Sequence, residues 1–150
     1  MTAHGKSRRP INTLRGLLRE FGILIPLGAH HAVPTTWAQL QDAESFPSAR
    51  HFASYLGLTP RESSSGLRRR LGAISKRADV YLRTLLIHGA RSVLLAAKRR
   101  HPDRLRAWAL AKQSARGHNK ASVALANKLA RIIWAVWKHD RPFHSVPQVA

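Results

Sequence analysis

The chain of 150 residues has no cysteine and only seven acidic side chains. The first absence removes disulfides and thiolate metal sites and suits a reducing compartment. The second weakens any case for metal held by oxygen ligands. A Mg²⁺ site for phosphoryl transfer needs at least a pair of convergent carboxylates. Glu20, Asp42, Glu44, Glu62, Asp79, Asp103 and Asp140 are scattered, and the near neighbours Asp42 and Glu44 diverge on a helix. A self-contained metal nuclease is therefore disfavoured. Among nine histidines His30-His31 is the one close pair and no His-x-x-x-His spacing occurs, so no metal site is expected. No apolar run reaches the ~20 residues of a membrane span; ILIPLGA at 23–29 is too short. The N-terminus lacks the apolar core of a secretory signal. No stretch alternates with period two long enough to suggest a sheet.

What is present is positive charge. Lys and Arg total 26, giving a formal net charge of +19. The basic residues run from Lys6 to Arg141, so they are no mere tail. Self-repulsion on that scale calls for a polyanion, with nucleic acid first and an anionic membrane surface second. Arginine outnumbers lysine, which favours bidentate contacts to phosphate.

Helical periodicity accounts for most of the chain. INTLRGLLREFG at 11–22 forms a short amphipathic helix, and a second runs from the Pro34-Thr35-Thr36 cap to about Asp42. SFPSARHFASYLG at 45–57 forms a third, with Ser45 as cap, Phe52, Tyr55 and Leu56 buried and Gly57 as stop. Ser75 caps a long helix to about Arg100 carrying Leu82, Leu85, Leu86, Gly89, Val93 and Ala97 on one face. Pro102 opens a short helix through Trp108, and the last helix, near 119–138, is apolar enough to be central. Trp108, Trp134 and Trp137 read as core and Asn127 as an interhelical polar contact. The expected fold is all-α: a compact multi-helix domain with a long basic Ser/Gly loop over 58–74.

That loop contains RESSSGLRRRLG at 61–72. Composition alone favours a solvated flexible segment. The alternative is a serine nucleophile beside a phosphate clamp, for which Arg68, Arg69, Arg70, Lys76 and Arg77 supply cations. Nothing adjacent in sequence supplies the activation.

The blocks GLTPR, SSG, LGAISKR, YLRTLLIHGAR and VALANKLARIIWA, in that order, resemble the C-terminal domain of the IS one-ten family of insertion-sequence transposases, especially its IS eleven-eleven branch. The likeness spans about residues 34–143 and divides the chain into a remnant of the family's N-terminal region at 1–31, the transposase C-terminal domain at 32–143 and a tail at 144–150. The resemblance implies a bacterial, cytoplasmic, nucleoid-associated DNA recombinase. Its N-terminal nuclease domain holds Mg²⁺ on four acids, and its C-terminal domain supplies a serine that attacks the DNA backbone. The serine before the glycine maps onto Ser65, with Ser64 as fallback, and Arg61, Arg68, Arg69, Arg70, Lys76, Arg77 and Arg83 are the implied phosphate contacts. Implied partners are DNA, an element-encoded guide RNA and a full-length transposase subunit; no membrane is implied. Two positions depart from the family pattern, Leu67 and Ala78 each standing for a glycine, which removes backbone freedom. The acidic nuclease domain has no counterpart in these residues, so no cofactor is expected in this chain. Three readings follow: a truncated transposase carrying the serine, a non-catalytic nucleic-acid-binding fragment that interferes with a full-length relative, or a decayed gene product that folds poorly.

Overall fold

The computed structural model describes residues 45–77, 80–99 and 103–139, with Arg19 and Phe143 as single positions. The helices expected at 11–22 and 35–42, and Trp37, lie outside the described residues. Within them the order is α1 (Ala49–Tyr55), β1 (Pro60–Glu62), β2 (Leu71–Ile74), α2 (Val80–Ala97), α3 (Arg104–Arg116) and α4 (His118–His139). The expected all-α class holds for the bulk of the structure. It needs one correction: the segment read as a loop is a two-stranded antiparallel hairpin.

α4 is the central element, packed against α1, α2 and α3. Its buried residues come as adjacent pairs one turn apart, Ala121-Ser122, Leu125-Ala126, Leu129-Ala130 and Ile133-Trp134. That spacing makes a broad apolar face rather than a narrow stripe, wide enough for three neighbours. The small residues of the first three pairs let helices approach, and α2 answers with Gly89, Ala90 and Ala97 alongside Leu86, Val93 and Leu94. The one buried hydroxyl in α4, on Ser122, donates to the His118 carbonyl at 2.8 Å, the local solution for serine inside a helix. Phe52 of α1 meets Trp137 edge-on at 6.2 Å between centroids. α2 is long and apolar enough to cross a membrane by length and composition, but its apolar face is spent on this core.

The helix ends sit differently from the sequence expectation. Ser48, not Ser45, caps α1, accepting from the His51 N–H, because Pro47 precedes the cap. Tyr55, expected in the core, is exposed. α2 starts at Val80, and Ser75 instead extends the strand pairing by donating its N–H to the Thr59 carbonyl. α3 runs to Arg116, much further than expected, from an Asp103 cap that accepts the Arg106 N–H at 2.7 Å.

α1 closes with a Schellman arrangement. Leu58 N–H donates to Ala53 C=O, Gly57 N–H donates to Ser54 C=O, and Gly57 takes a φ of +69°. Gly57 is required here for a second reason. A Cβ on it would lie 2.7 Å from the Arg77 nitrogen and closer still to the Arg77 carbonyl oxygen, so the chain entering the hairpin rests directly on the chain leaving it. Gly57→Ala should combine a left-handed strain penalty with this backbone collision. A loss of about 2–4 kcal/mol in urea unfolding is expected; a loss below about 0.5 kcal/mol would show that the two segments separate freely.

Candidate nucleic-acid interface and serine site

The serine segment is a ribbon with a two-residue turn. Pro60 pairs with Ile74 and Glu62 with Leu71, with an irregularity between those two rungs. The pairing then continues: Ser63 N–H donates to Arg70 C=O at 2.9 Å, and Arg68 N–H donates to Ser65 C=O at 3.2 Å. Gly66 and Leu67 form the turn, Gly66 with φ +57°. Glycine at the first central position with positive φ, and no positive φ at the second, is the type II′ hairpin turn. The second position of that turn accepts any L residue. Leu67 in place of the family's glycine therefore costs no backbone strain, contrary to expectation. At roughly 3.3 Å per residue the ribbon reaches about 20 Å from Pro60 to its tip, and every residue from 60 to 73 is exposed.

Pairing decides which side chains meet. Opposed residues share a face of the ribbon and successive residues alternate. Ser65, Arg68, Ser63 and Arg70 thus occupy one face, and Ser64, Arg69, Glu62 and Leu71 the other. Side-chain contacts agree. Glu62 Oε1 accepts from Ser64 Oγ at 2.8 Å and from Arg69 Nε at 3.1 Å. Ser64 Oγ also accepts the Arg70 N–H at 3.2 Å. Ser64 is therefore a bracing residue inside the ribbon, whereas among the described residues no hydrogen bond ties down the Ser65 hydroxyl.

The remaining sequence candidates divide. Arg61 Nη2 donates to the Ser75 carbonyl at 3.3 Å and stiffens the root of the ribbon. Lys76 and Arg77 are exposed at that root, Lys76 in the left-handed region at φ 54°, a full ribbon length from the tip. Arg83 is used differently from the phosphate contact implied for it. It is 7% exposed, and its Nη1 donates to the Arg77 carbonyl at 2.9 Å and more weakly to the Leu56 carbonyl at 3.5 Å. A helix-terminal carbonyl at the negative end of α1 suits a buried guanidinium, so Arg83 latches α1, the ribbon exit and α2 together. Asn127 performs a similar service: its Nδ2 donates to the Leu58 carbonyl at 3.2 Å, tying the ribbon entry to α4.

Two arrangements escaped the sequence reading. Glu62 as the brace of Ser64 and Arg69 was signalled by the Gly-X turn at 66–67, which fixes 62, 64 and 69 on one face. Lys128 lies 4.1 Å and Lys112 5.9 Å from the Trp108 ring centroid, a cation–π cluster that carried no sequence signal across two helices. Burial, and then the nearby Arg131, lower the Lys128 pKa from its ordinary 10.5.

Among the described residues no three His, Asp or Glu side chains converge, and the one carboxylate of the ribbon, on Glu62, already serves Ser64 and Arg69.

Comparison with known proteins now bears on the ribbon. The profile of the Transposase IS116/IS110/IS902 family matches residues 29–106, a span that contains α1, the whole ribbon and α2. The chain belongs to this transposase family. It is 50% identical over 103 residues to a protein of Pseudomonas aeruginosa named a probable family 20 transposase, and 46% identical over 102 residues to the transposase for insertion sequence element IS1111A of Coxiella burnetii. These matches cover 69% and 68% of the chain. A pilin gene-inverting protein of Moraxella bovis is 29% identical over 120 residues, 79% of the chain. The chain spans 30%, 28% and 36% of these three relatives' own lengths. No solved structure matches it.

The buried latch can be separated from the exposed cations by experiment. Arg83→Ala should cost about 2 kcal/mol of unfolding free energy, the loss of charged hydrogen bonds to carbonyls left dry, while Arg68→Ala should leave stability within about 0.5 kcal/mol. Equal effects in urea titrations would contradict this division.

Proposed function

We propose that the ribbon is the DNA-engaging element of this transposase domain and that Ser65 is its nucleophile. The observation carrying this reading is the parity of the ribbon, which sets the unbonded Ser65 hydroxyl on the same face as Arg68 and Arg70 and commits Ser64 to Glu62. Arg68 and Arg70 hold non-bridging oxygens of a phosphodiester, and charge developing there in the transition state is met by guanidinium donors. The Ser65 oxygen attacks phosphorus. A phosphoserine bond forms as the bond to a deoxyribose oxygen breaks; the serine proton passes to an acceptor, which returns it to the departing oxygen. A free serine hydroxyl is a weak nucleophile, so the acceptor is the limiting requirement. It is supplied from beyond the described residues, by another segment or by a full-length subunit of the same family. An element-encoded RNA is a further polyanion that the same cations could hold.

The test pairs this chain with a full-length family member whose own serine is changed to alanine, on duplex carrying an element end in Mg²⁺ buffer. Ser65→Ala should abolish the covalent protein–DNA adduct. Ser64→Ala should reduce it by roughly fivefold, the equivalent of about 1 kcal/mol for the two exposed bracing hydrogen bonds that it loses. An adduct that survives Ser65→Ala overturns the assignment.

A second reading, a binding fragment without chemistry, is favoured by the one ribbon carboxylate being engaged by Ser64 and Arg69. It predicts salt-sensitive DNA binding with no adduct in any combination. In both readings Arg68→Ala and Arg70→Ala should each lower the slope of log affinity against log salt by about one, and Arg83→Ala should leave that slope unchanged.

A further inference from the structure

The tip of the ribbon carries a side chain that folding does not explain. Leu67 is 107% exposed, against 53% for Leu71 and 59% for Leu95, which lie on regular elements. Isolated surface leucines are ordinary, so exposure alone decides nothing. Position does. Leu67 is the second central residue of the type II′ turn, the furthest point of a projecting ribbon. It follows the candidate nucleophile by two residues and is followed at once by Arg68, Arg69 and Arg70. Nothing lies within 4 Å of where a Cβ on Gly66 would sit, so the tip is open on its neighbouring side as well.

A two-stranded ribbon can enter either groove of DNA, and the roughly 20 Å that this one projects is more than twice the depth of each, about 8.5 Å and 7.5 Å. With Arg68 and Arg70 gripping the backbone on the Ser65 face, the apolar side chain at the apex meets the base-pair stack, where the faces of the bases offer apolar surface to bury against. Apolar wedges of this kind, leucine among them, enter base steps from the minor groove and unstack them, most readily at flexible pyrimidine–purine steps. Resting on the proposed role of the ribbon in DNA engagement, we infer that Leu67 is a wedge that inserts between stacked bases beside the phosphate presented to Ser65, opening the duplex at the point of attack. A glycine at position 67 would lack the side chain to do this. The wedge sets a preference for deformable steps through position 67.

The test uses the full 150-residue chain and a short duplex whose central TA step carries 2-aminopurine in place of adenine. Binding is followed by anisotropy and unstacking by 2-aminopurine fluorescence. The wild-type chain should raise the fluorescence at saturation. Leu67→Gly should bind with an unchanged salt slope yet leave the fluorescence at its free-duplex value, and Leu67→Phe should restore the rise. A duplex already unstacked by an abasic site opposite the step should bind the wild-type chain roughly tenfold more tightly than the intact duplex and bind Leu67→Gly no more tightly. Binding without a fluorescence rise, or a rise that persists in Leu67→Gly, overturns the wedge while leaving the DNA-binding role of the ribbon standing. Absence of duplex binding in every form of the chain overturns both.

Discussion

The serine ribbon has no core of its own, and everything about its aim depends on the contact at its root, where Gly57 rests without a side chain on the Lys76–Arg77 peptide. Three further ties converge on this point. Lys76 N–H donates to the Gly57 carbonyl, Arg83 reaches the carbonyls of Leu56 and Arg77, and Asn127 holds Leu58. Each joins the ribbon to a different helix, so the buried α1–α2–α4 core fixes the direction of strands that are themselves solvated. A surface element that must place a reactive atom is more accurately held from a rigid scaffold than by contacts along its own length.

Within the ribbon, chemistry is sorted by alternation. The three consecutive serines are equivalent in composition and unlike in structure. Ser64 falls on the side of Glu62, where a carboxylate and an arginine bind it into the strand pairing. Ser65 falls opposite, between cations and with its hydroxyl unengaged. Glu62 has a double effect: it engages Ser64 and Arg69 on its own face and leaves Arg68 and Arg70 facing Ser65. The result is a positive face and a braced face on a strip two strands wide, built without burying any of its side chains.

Much of the helical framework was legible beforehand. The Gly57 stop, the apolar face of α2 and the centrality of α4 follow from period and composition, because burial leaves a hydrophobic imprint on sequence. The hairpin left none. Both of its faces are solvated, so period-two alternation had no apolar residues to mark it, and Gly66-Leu67 was read as a departure from a family pattern instead of as a turn signal. Arg83 was misplaced for a related reason: on a helix rich in arginine nothing local distinguishes a guanidinium that points to solvent from one that reaches two backbone carbonyls across a junction. Ser75 has the local signature of a helix cap, but its backbone is needed by a strand, a competition decided by the partner Thr59, sixteen residues away in sequence.

By itself the sequence determined the charge, the helical class, the family and the short list of serines and arginines, since these depend on residue identity and local spacing. Tertiary structure decided which serine is presented, which arginine is buried and where the ribbon points. Those outcomes depend on strand register and on contacts between segments far apart in the chain, and a shift of one residue in that register would exchange the faces of Ser64 and Ser65.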